Sequence, residues 1–366
     1  MVLLPTVPVG LLVGWLGYSE ACIFILNFLA IIPLSTLLGN STEVISSYTN
    51  DVIGGLLNAT FGNAVEVILG ISALRFGLLD VVKATLLGSV LSNLLFVLGW
   101  SFLLGGFCHT VQPINPAISD SNISVLAVAL FGFTIPAVFS ATETEPSRAN
   151  VQLLSLLTAI FMFLLYLLFL IFELITHAHL YDTKKLVRSS SRFSSEEDGH
   201  NYFPTVGSIH STSKSPLWVA IGVQLGTVVL TSYCSEYLVQ SIQGFSKETH
   251  LSSSFVAFVL LPIVGNAAEH LAACTFAIKG NIDLSISIAC GSSVQVALFV
   301  APLLVISSWF MPGPLLTLDF HLFETVMLGI AVAVTSLALR DNTSNWLEGA
   351  ELLISYCIIS TAFFLK

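Results

Sequence analysis

"GLLNATFGNAVEVILG", residues 55–70, reads as one continuous apolar helix, yet Asn58, Asn63 and the carboxylate of Glu66 stand in its middle. A second stretch, "LLPIVGNAAEHLAA" at residues 260–273, says nearly the same thing. Gly62-Asn63-Ala64-x-Glu66 returns as Gly265-Asn266-Ala267-x-Glu269, 203 residues further on. A charge at the centre of a membrane helix costs about 2.5–3.5 kcal/mol even on the lenient insertion scale. A costly motif that recurs in the same form points to function rather than to packing.

Composition sets the environment of these two glutamates. The 366 residues are 55% hydrophobic and only 9% charged, with a mean hydropathy of +0.90. A soluble domain carries about 25% charged residues. The chain is therefore read as an all-α polytopic membrane protein with the lipid bilayer as its main partner. The net charge of −10 comes with no basic stripe, which excludes nucleic acid as a partner. The six cysteines show no CxxC or Cys/His spacing, so neither a disulfide framework nor a zinc site is expected, and they read as small buried hydrophobes.

Eleven spans are expected, near 2–17, 21–38, 50–74, 81–105, 121–142, 150–177, 216–241, 252–278, 282–310, 320–340 and 345–365. The N-terminal stretch lacks the basic flank of a signal peptide and reads as a retained helix. One connection is long. It contains "KKLVRSSSRFSSEEDGHNYF" (184–203), a polar and charged segment that reads as a partly disordered central loop. The expected division is an extra helix at 1–18, five helices over 19–177, the loop over 178–215 and five helices over 216–366.

Lys184, Lys185, Arg188, Arg192, Lys214, Lys279 and Arg340 fall on the side of the N-terminus and the loop. Arg75, Lys83, Arg148, Lys247 and Lys366 fall on the other. The excess puts the N-terminus and the loop in the cytosol.

The 203-residue shift also carries Gly88-Ser89 onto Gly291-Ser292, and Ser92 onto Gln295. The two motif helices are the third and eighth spans, an odd number apart, so the halves insert in opposite senses, as in inverted-repeat transporters. Asn63 with Glu66, and Asn266 with Glu269, share a helix face at i,i+3. Pseudo-twofold symmetry would gather Asn63, Glu66, Ser89, Ser92, Asn266, Glu269, Ser292 and Gln295 at mid-membrane. Pro262, one turn before the second motif, could open that helix and free carbonyl oxygens.

Two buried carboxylates repel, and two things relieve them. One is a divalent cation, Ca²⁺ above all, which takes carboxylate, amide and carbonyl oxygens. The other is protonation, because burial and a like charge both disfavour the ionised form. A site that holds either Ca²⁺ or protons couples their fluxes. No cofactor is expected; Ca²⁺ and H⁺ are the transported substrates. His270 reads as a satisfied structural histidine. Glu43, Asp51, Glu236, Glu324, Glu348 and Glu351 lie near span ends and read as interfacial, with Glu43 and Glu236 kept as candidates for a cation entrance. HExxH and Walker A patterns are missing, and "GSSVQ" (291–295) lacks a plausible histidine base beside its serines, so an enzyme is not expected.

"GGLLNATFGNAVEVILG" (54–70), "GSVLSNLLFVLG" (88–99), "IVGNAAEH" (263–270) and "GSSVQVALFVAP" (291–302) together closely resemble the cation/proton exchanger family, most closely its fungal vacuolar Ca²⁺/H⁺ exchangers. "NFLAIIPL" (27–34) and "SNWLEG" (344–349) extend the likeness over nearly the whole chain. The resemblance implies one extra helix followed by two inverted sets of five. It implies Glu66 and Glu269 as the Ca²⁺ and proton site, completed by backbone carbonyls, with Asn63, Ser89, Ser92, Asn266, Ser292 and Gln295 as the surrounding polar ring. The second and seventh spans would slide as gates. Ca²⁺, with Mn²⁺ as a further candidate ion, would pass from the cytosol into a vacuole against protons. Only Glu196, Glu197 and Asp198, followed by Gly199, match the acidic loop helix of many relatives, so regulation through such a helix is not expected. The rival readings are a Na⁺-coupled Ca²⁺ exchanger of the same superfamily and a passive cation channel. Neutral Ser292 and Gln295 favour protons over sodium.

Overall fold

A chain this apolar can cross hydrocarbon only if each backbone polar group is satisfied within its own segment, which favours helices. The structure, a computed structural model, describes residues 3–142, 147–180 and 216–365. Thirteen helices account for most of the described residues. The first half holds α1 (Thr6–Leu16), α2 (Glu20–Ser46), α3 (Asp51–Phe61), α4 (Ala64–Arg75), α5 (Leu79–Cys108), α6 (Pro116–Thr142) and α7 (Arg148–Thr176). The second half holds α8 (Leu217–Thr249), α9 (Ser253–Gly265), α10 (Ala267–Ile278), α11 (Ile282–Ser308), α12 (Leu322–Ala338) and α13 (Trp346–Leu365). A two-residue antiparallel ladder pairs Gln112 with Ser344 and Pro113 with Thr343. The expected central loop lies, from residue 181 to 215, outside the described residues, and with it the acidic run 196–198.

Seven of these helices are long and apolar enough to cross a membrane singly, and α3 with α4 and α9 with α10 bring the count to nine if each bent pair is one span. The shorter apolar helices α1 and α12 stand at the first and tenth expected spans. Two helices overrun their expected ends: α2 reaches Ser46 and α8 reaches Thr249. Polar residues in the extension of α2 are satisfied against the start of α8. Ser41 donates to Gln224, and Gln224 donates to Thr42 at 3.1 Å.

The same contacts fix direction. Ser41 meets Gln224 at one end, while Phe24 stacks on Phe245 and the Ala21 N–H reaches Glu248 at the other, so α2 and α8 run antiparallel. The most buried helices of the bundle are two others. The most apolar windows of α5 and α11 are 83% and 72% buried, against 33% or less in α6, α7, α8 and α13, which turn a broad face outward. The shift of 203 residues carries α4 onto α10 residue for residue, and the start of α5 onto the start of α11. Val90 and Ser293, which this shift makes equivalent, touch at 3.5 Å, as residues beside a twofold axis do.

The stretch 50–74 is not one continuous helix. It bends by 41° between α3 and α4, and its counterpart bends by 60° between α9 and α10. Both breaks fall on the motif asparagine: Asn63 has φ −97°, ψ 20° and Asn266 has φ −95°, ψ 12°. These values leave the helical region for the bridge region, which asparagine tolerates better than most side chains because its short amide bonds locally. The expected opening at Pro262 is therefore displaced four residues, and α3 opens at Asn63 with no proline at all. Pro262 acts earlier. It has no N–H for the carbonyl of Phe258, and α9 makes a π-helical turn over Val256–Leu260. The Phe258 carbonyl lies against Gly88 of α5, where a Cβ would stand 2.1 Å from it.

The buried reading of the cysteines holds for Cys234 and Cys290; Cys108 and Cys357 are exposed, on helix faces turned away from the core.

Candidate cation-binding site

Each motif is a helix start. Asn63 and Asn266 are N-cap residues, and Glu66 and Glu269 occupy the third helical position of α4 and α10. An N-cap asparagine ordinarily accepts from the N–H groups of its own first turn. Neither does so here. The free N–H groups keep the partial positive charge of the helix ends beside the two carboxylates, which favours negative charge there. On the other side of each break the carbonyl ends of α3 and α9 face the same region. The backbone ladder stops with the Gly62 N–H on the Asn58 carbonyl (2.8 Å) and resumes with Val67 on Asn63 (3.1 Å). In the second half it stops with Asn266 on Pro262 (3.1 Å) and resumes with His270 on Asn266 (2.9 Å). One bend thus supplies an anchored carboxylate and carbonyl oxygens together.

The asparagine side chains reach across to the other half instead. The Asn63 amide donates to Gln295 Oε1 at 2.5 Å. The Asn266 amide donates to Ser89 Oγ at 2.8 Å and to Asn93 Oδ1 at 3.3 Å. Asn93 then donates to Ser292 Oγ at 3.0 Å. Asn93, 1% exposed, is the site residue that sequence reasoning missed. The shift places Val296 opposite it, so the repeat gave no signal; a buried amide inside an apolar run was the available one.

The Glu66 carboxylate lies against the second motif. Glu66 is 7% exposed and Glu269 partly buried. Glu66 Oε1 lies 3.2 Å from where a Cβ on Gly265 would stand, so the glycine of one motif makes room for the carboxylate of the other. Asn63 Oδ1, Glu66 Oε2, Ser92 Oγ and Glu269 Oε2 are buried oxygens without a hydrogen-bond partner among the described residues. Unpaired buried oxygens are costly, and a cation or a proton would satisfy them. Among the described residues no group of three or more His, Cys, Asp and Glu side chains forms a denser cluster.

All eight sequence-derived positions lie on the facing elements α4, α5, α10 and α11 or at their breaks. Ser92 and Gln295 sit where a π-helical turn begins, over Ser92–Val97 in α5 and over Val296–Val300 just after Gln295 in α11. Such turns recur at functional sites. The candidates for an entrance are separate from this cluster. Glu43 is exposed near the end of α2, and Glu236 is half-buried on α8 with Arg75 3.8 Å away. His270 is not satisfied as expected: its Nε2 is buried and unpartnered among the described residues, with the ring 5.8 Å from Phe96. Glu324, expected at an interface, is buried at the start of α12.

Comparison with known proteins bears on this geometry. The family model described as sodium/calcium exchanger protein matches residues 19–175 and again 219–365. The chain is 40% identical to the Ca²⁺/H⁺ antiporter of Aphanothece halophytica over 99% of its own length and 95% of that relative. It is 38% identical to the vacuolar calcium ion transporter of Schizosaccharomyces pombe, covering 98% of this chain and 82% of that one. Among solved structures, native YfkE superposes with a TM-score of 0.80 at 35% identity, over 100% of this chain and 99% of that one.

Proposed function

This chain belongs to the sodium/calcium exchanger protein family, and from that premise we propose that it is a Ca²⁺/H⁺ antiporter in which both ions compete for Glu66 and Glu269. The observation that carries the reading is the pair of facing helix starts, each presenting a buried carboxylate with an unpartnered oxygen. Ca²⁺ takes 6–8 oxygens at flexible geometry. Two carboxylates, the Asn63 amide oxygen and the carbonyls at the two breaks are donors of that kind. With the cation gone, two like charges remain in a low-dielectric site, and protons neutralise them. The site is thus reloaded with one ion or the other before it turns, and the proton gradient drives Ca²⁺ the opposite way.

Alternating access requires one body to move against another around a fixed site. The reading assigns the fixed part to α4, α5, α10 and α11 and the moving part to α2 and α8, which are bonded to each other near both ends. Glu43 and Glu236 lie toward opposite ends of the bundle and serve as cation entrances. The division into five helices over 19–177 and five over 216–366, with an extra helix before them, belongs to the same proposal. So does a vacuolar membrane with the N-terminus and central loop in the cytosol, supported by the Schizosaccharomyces pombe relative and by the Lys and Arg distribution. Mn²⁺, which accepts the same oxygen donors, is a second candidate ion.

The test is uptake of radiolabelled Ca²⁺ into proteoliposomes with an acidic interior. Uptake is expected to need the pH gradient, to stop when an ionophore collapses it, and to vanish in Glu66→Gln and in Glu269→Gln. Uptake that follows a Na⁺ gradient instead would make the chain a Na⁺-coupled exchanger. Uptake surviving both substitutions would refute the assignment of the carboxylates.

A further inference from the structure

Helix α1 stands outside the repeat, yet it touches both halves: it packs on α2 and on α8. Gly10 and Gly14 form a G-x-x-x-G face, the spacing by which membrane helices bring their backbones close. Both glycines are used. A Cβ on Gly10 would stand 3.1 Å from Asn27 Oδ1 of α2, and a Cβ on Gly14 would stand 2.7 Å from the Tyr237 ring of α8. The atoms met at Gly14 include Tyr237 Cγ, the root of the ring, so a small rotation of the ring does not clear them. The opposite surface of α1 is open, with Val9, Leu12, Trp15 and Leu16 exposed.

The contact with α2 is polar as well as close. Asn27, 0% exposed, donates to the Gly10 carbonyl at 3.2 Å and to the Ile23 carbonyl of its own helix at 2.9 Å. A helix that only anchored the chain would need neither this bond nor glycines at the contact. Gly17 ends α1 in the left-handed region, with φ 67°, and the chain turns at once into α2, whose N-cap is Ser19. On α8, Tyr237 directly follows Glu236, which lies 3.8 Å from Arg75 of α4. α1 therefore meets α8 beside the place where α8 meets a motif helix.

We infer that α1 is a brace of the moving body: it spans α2 and α8 through its G-x-x-x-G face and travels with them past the fixed helices. α2 and α8 come from opposite halves and are bonded to each other near both ends. α1 adds a hydrogen bond to α2 through Asn27 and a ring contact to α8 through Tyr237. Held in this way, the two helices make one stroke rather than two independent ones. Gly14, Asn27 and Tyr237 are positioning residues. None belongs to the polar cluster around Glu66 and Glu269, and each acts on the ions through the movement of α2 and α8. Their effect falls on the rate of turnover, not on the affinity for Ca²⁺.

The inference rests on the reading of α2 and α8 as the moving part, and two cross-links separate the two. The full-length protein, its native cysteines changed to alanine, carries either Gly14→Cys with Tyr237→Cys or Arg75→Cys with Glu236→Cys. The Cβ positions at 14 and 237 are close enough for a disulfide; those at 75 and 236 are joined by a short, reducible bifunctional thiol reagent. Uptake of Ca²⁺ into proteoliposomes at saturating Ca²⁺ is measured before linkage, after it and after reduction. Linking α1 to α8 should leave uptake unchanged, whereas linking α4 to α8 should stop it until the link is reduced. Uptake lost on linking α1 to α8 and restored by reduction would overturn the brace. Uptake that persists with α4 linked to α8 would overturn the moving gate itself. In the chain with its native cysteines, Gly14→Val should lower the maximal rate about tenfold at unchanged KM for Ca²⁺. Adding Tyr237→Ala, which gives the new side chain the space of the ring, should recover most of that rate. An unchanged rate in Gly14→Val, a raised KM in place of a lowered rate, or no recovery in the double variant would each overturn the role assigned to α1.

Discussion

Gly88 and Gly291 occupy equivalent places in the two halves, each just before a serine of the polar ring. The structure separates them. A Cβ on Gly88 would stand 2.1 Å from the Phe258 carbonyl oxygen and 2.8 Å from its carbon, whereas a Cβ on Gly291 would meet nothing within 4 Å. Ordinary contact begins at 3.4 Å, so alanine at 88 requires α5 and α9 to part by about 1.3 Å. The obstacle is backbone inside a π-helical turn, which no side-chain rotation relieves. Overpacking of this kind costs about 1–3 kcal/mol or more. Both substitutions gain the same helix propensity, up to about 1 kcal/mol, so that contribution cancels when the two variants are compared. Gly88→Ala is therefore expected to be about 1–3 kcal/mol less stable than Gly291→Ala. The assay is thermal denaturation of the detergent-solubilised protein followed by size-exclusion chromatography, both variants beside wild type. Gly88→Ala should lose several degrees in its midpoint, and Gly291→Ala should match or exceed wild type. Equal midpoints, or a less stable Gly291→Ala, would refute the close approach of α5 to Phe258.

Three further outcomes are expected. A double-mutant cycle with Asn63→Ala and Gln295→Ala should give a coupling of about 0.6–1.7 kcal/mol, the range of interhelical hydrogen bonds in membranes, and additive effects would show that the two amides do not bond. Lys83 and Asp319 pair at 2.5 Å with 14% and 26% side-chain exposure, so Lys83→Met should cost less than the about 3–5 kcal/mol of a fully buried pair. Lys83→Met combined with Asp319→Leu should recover most of that loss, and a double variant as unstable as the single one would show that the charge pairing is not what matters. Lowering the pH on the Ca²⁺-loading side should raise the apparent KM for Ca²⁺ at constant maximal rate, because protonation removes the carboxylates as ligands; a falling maximal rate at constant KM would rule out competition at one site.

The asparagines of the motif show how far patterning carries. Their i,i+3 spacing from the glutamates implies a shared face on an unbroken helix, and for Ala64–Arg75 and Ala267–Ile278 the helical reading is right. The spacing does not disclose that Asn63 and Asn266 terminate the preceding helix rather than continue it. Helical propensity falls only slightly at a single asparagine, whereas a partner on another helix rewards the bend. Pro262 misled for the complementary reason: its effect on its own helix is absorbed by a π-helical turn, an adjustment with no mark in the sequence.

The sequence by itself determined that the chain lies in a membrane, that it is built twice, and that Glu66 and Glu269 are the charges to explain. Each of these is a matter of composition or of recurrence along the chain, and neither needs a neighbour in space. Tertiary structure alone decided which partner each asparagine takes, that Asn93 joins the site although the repeat places Val296 opposite it, and that Gly88 is tight where Gly291 is free. All of these depend on how helices from the two halves cross between residues about 180–230 positions apart. A repeat fixes what each helix offers; which offers meet is settled only by the distance and angle at which the helices pack.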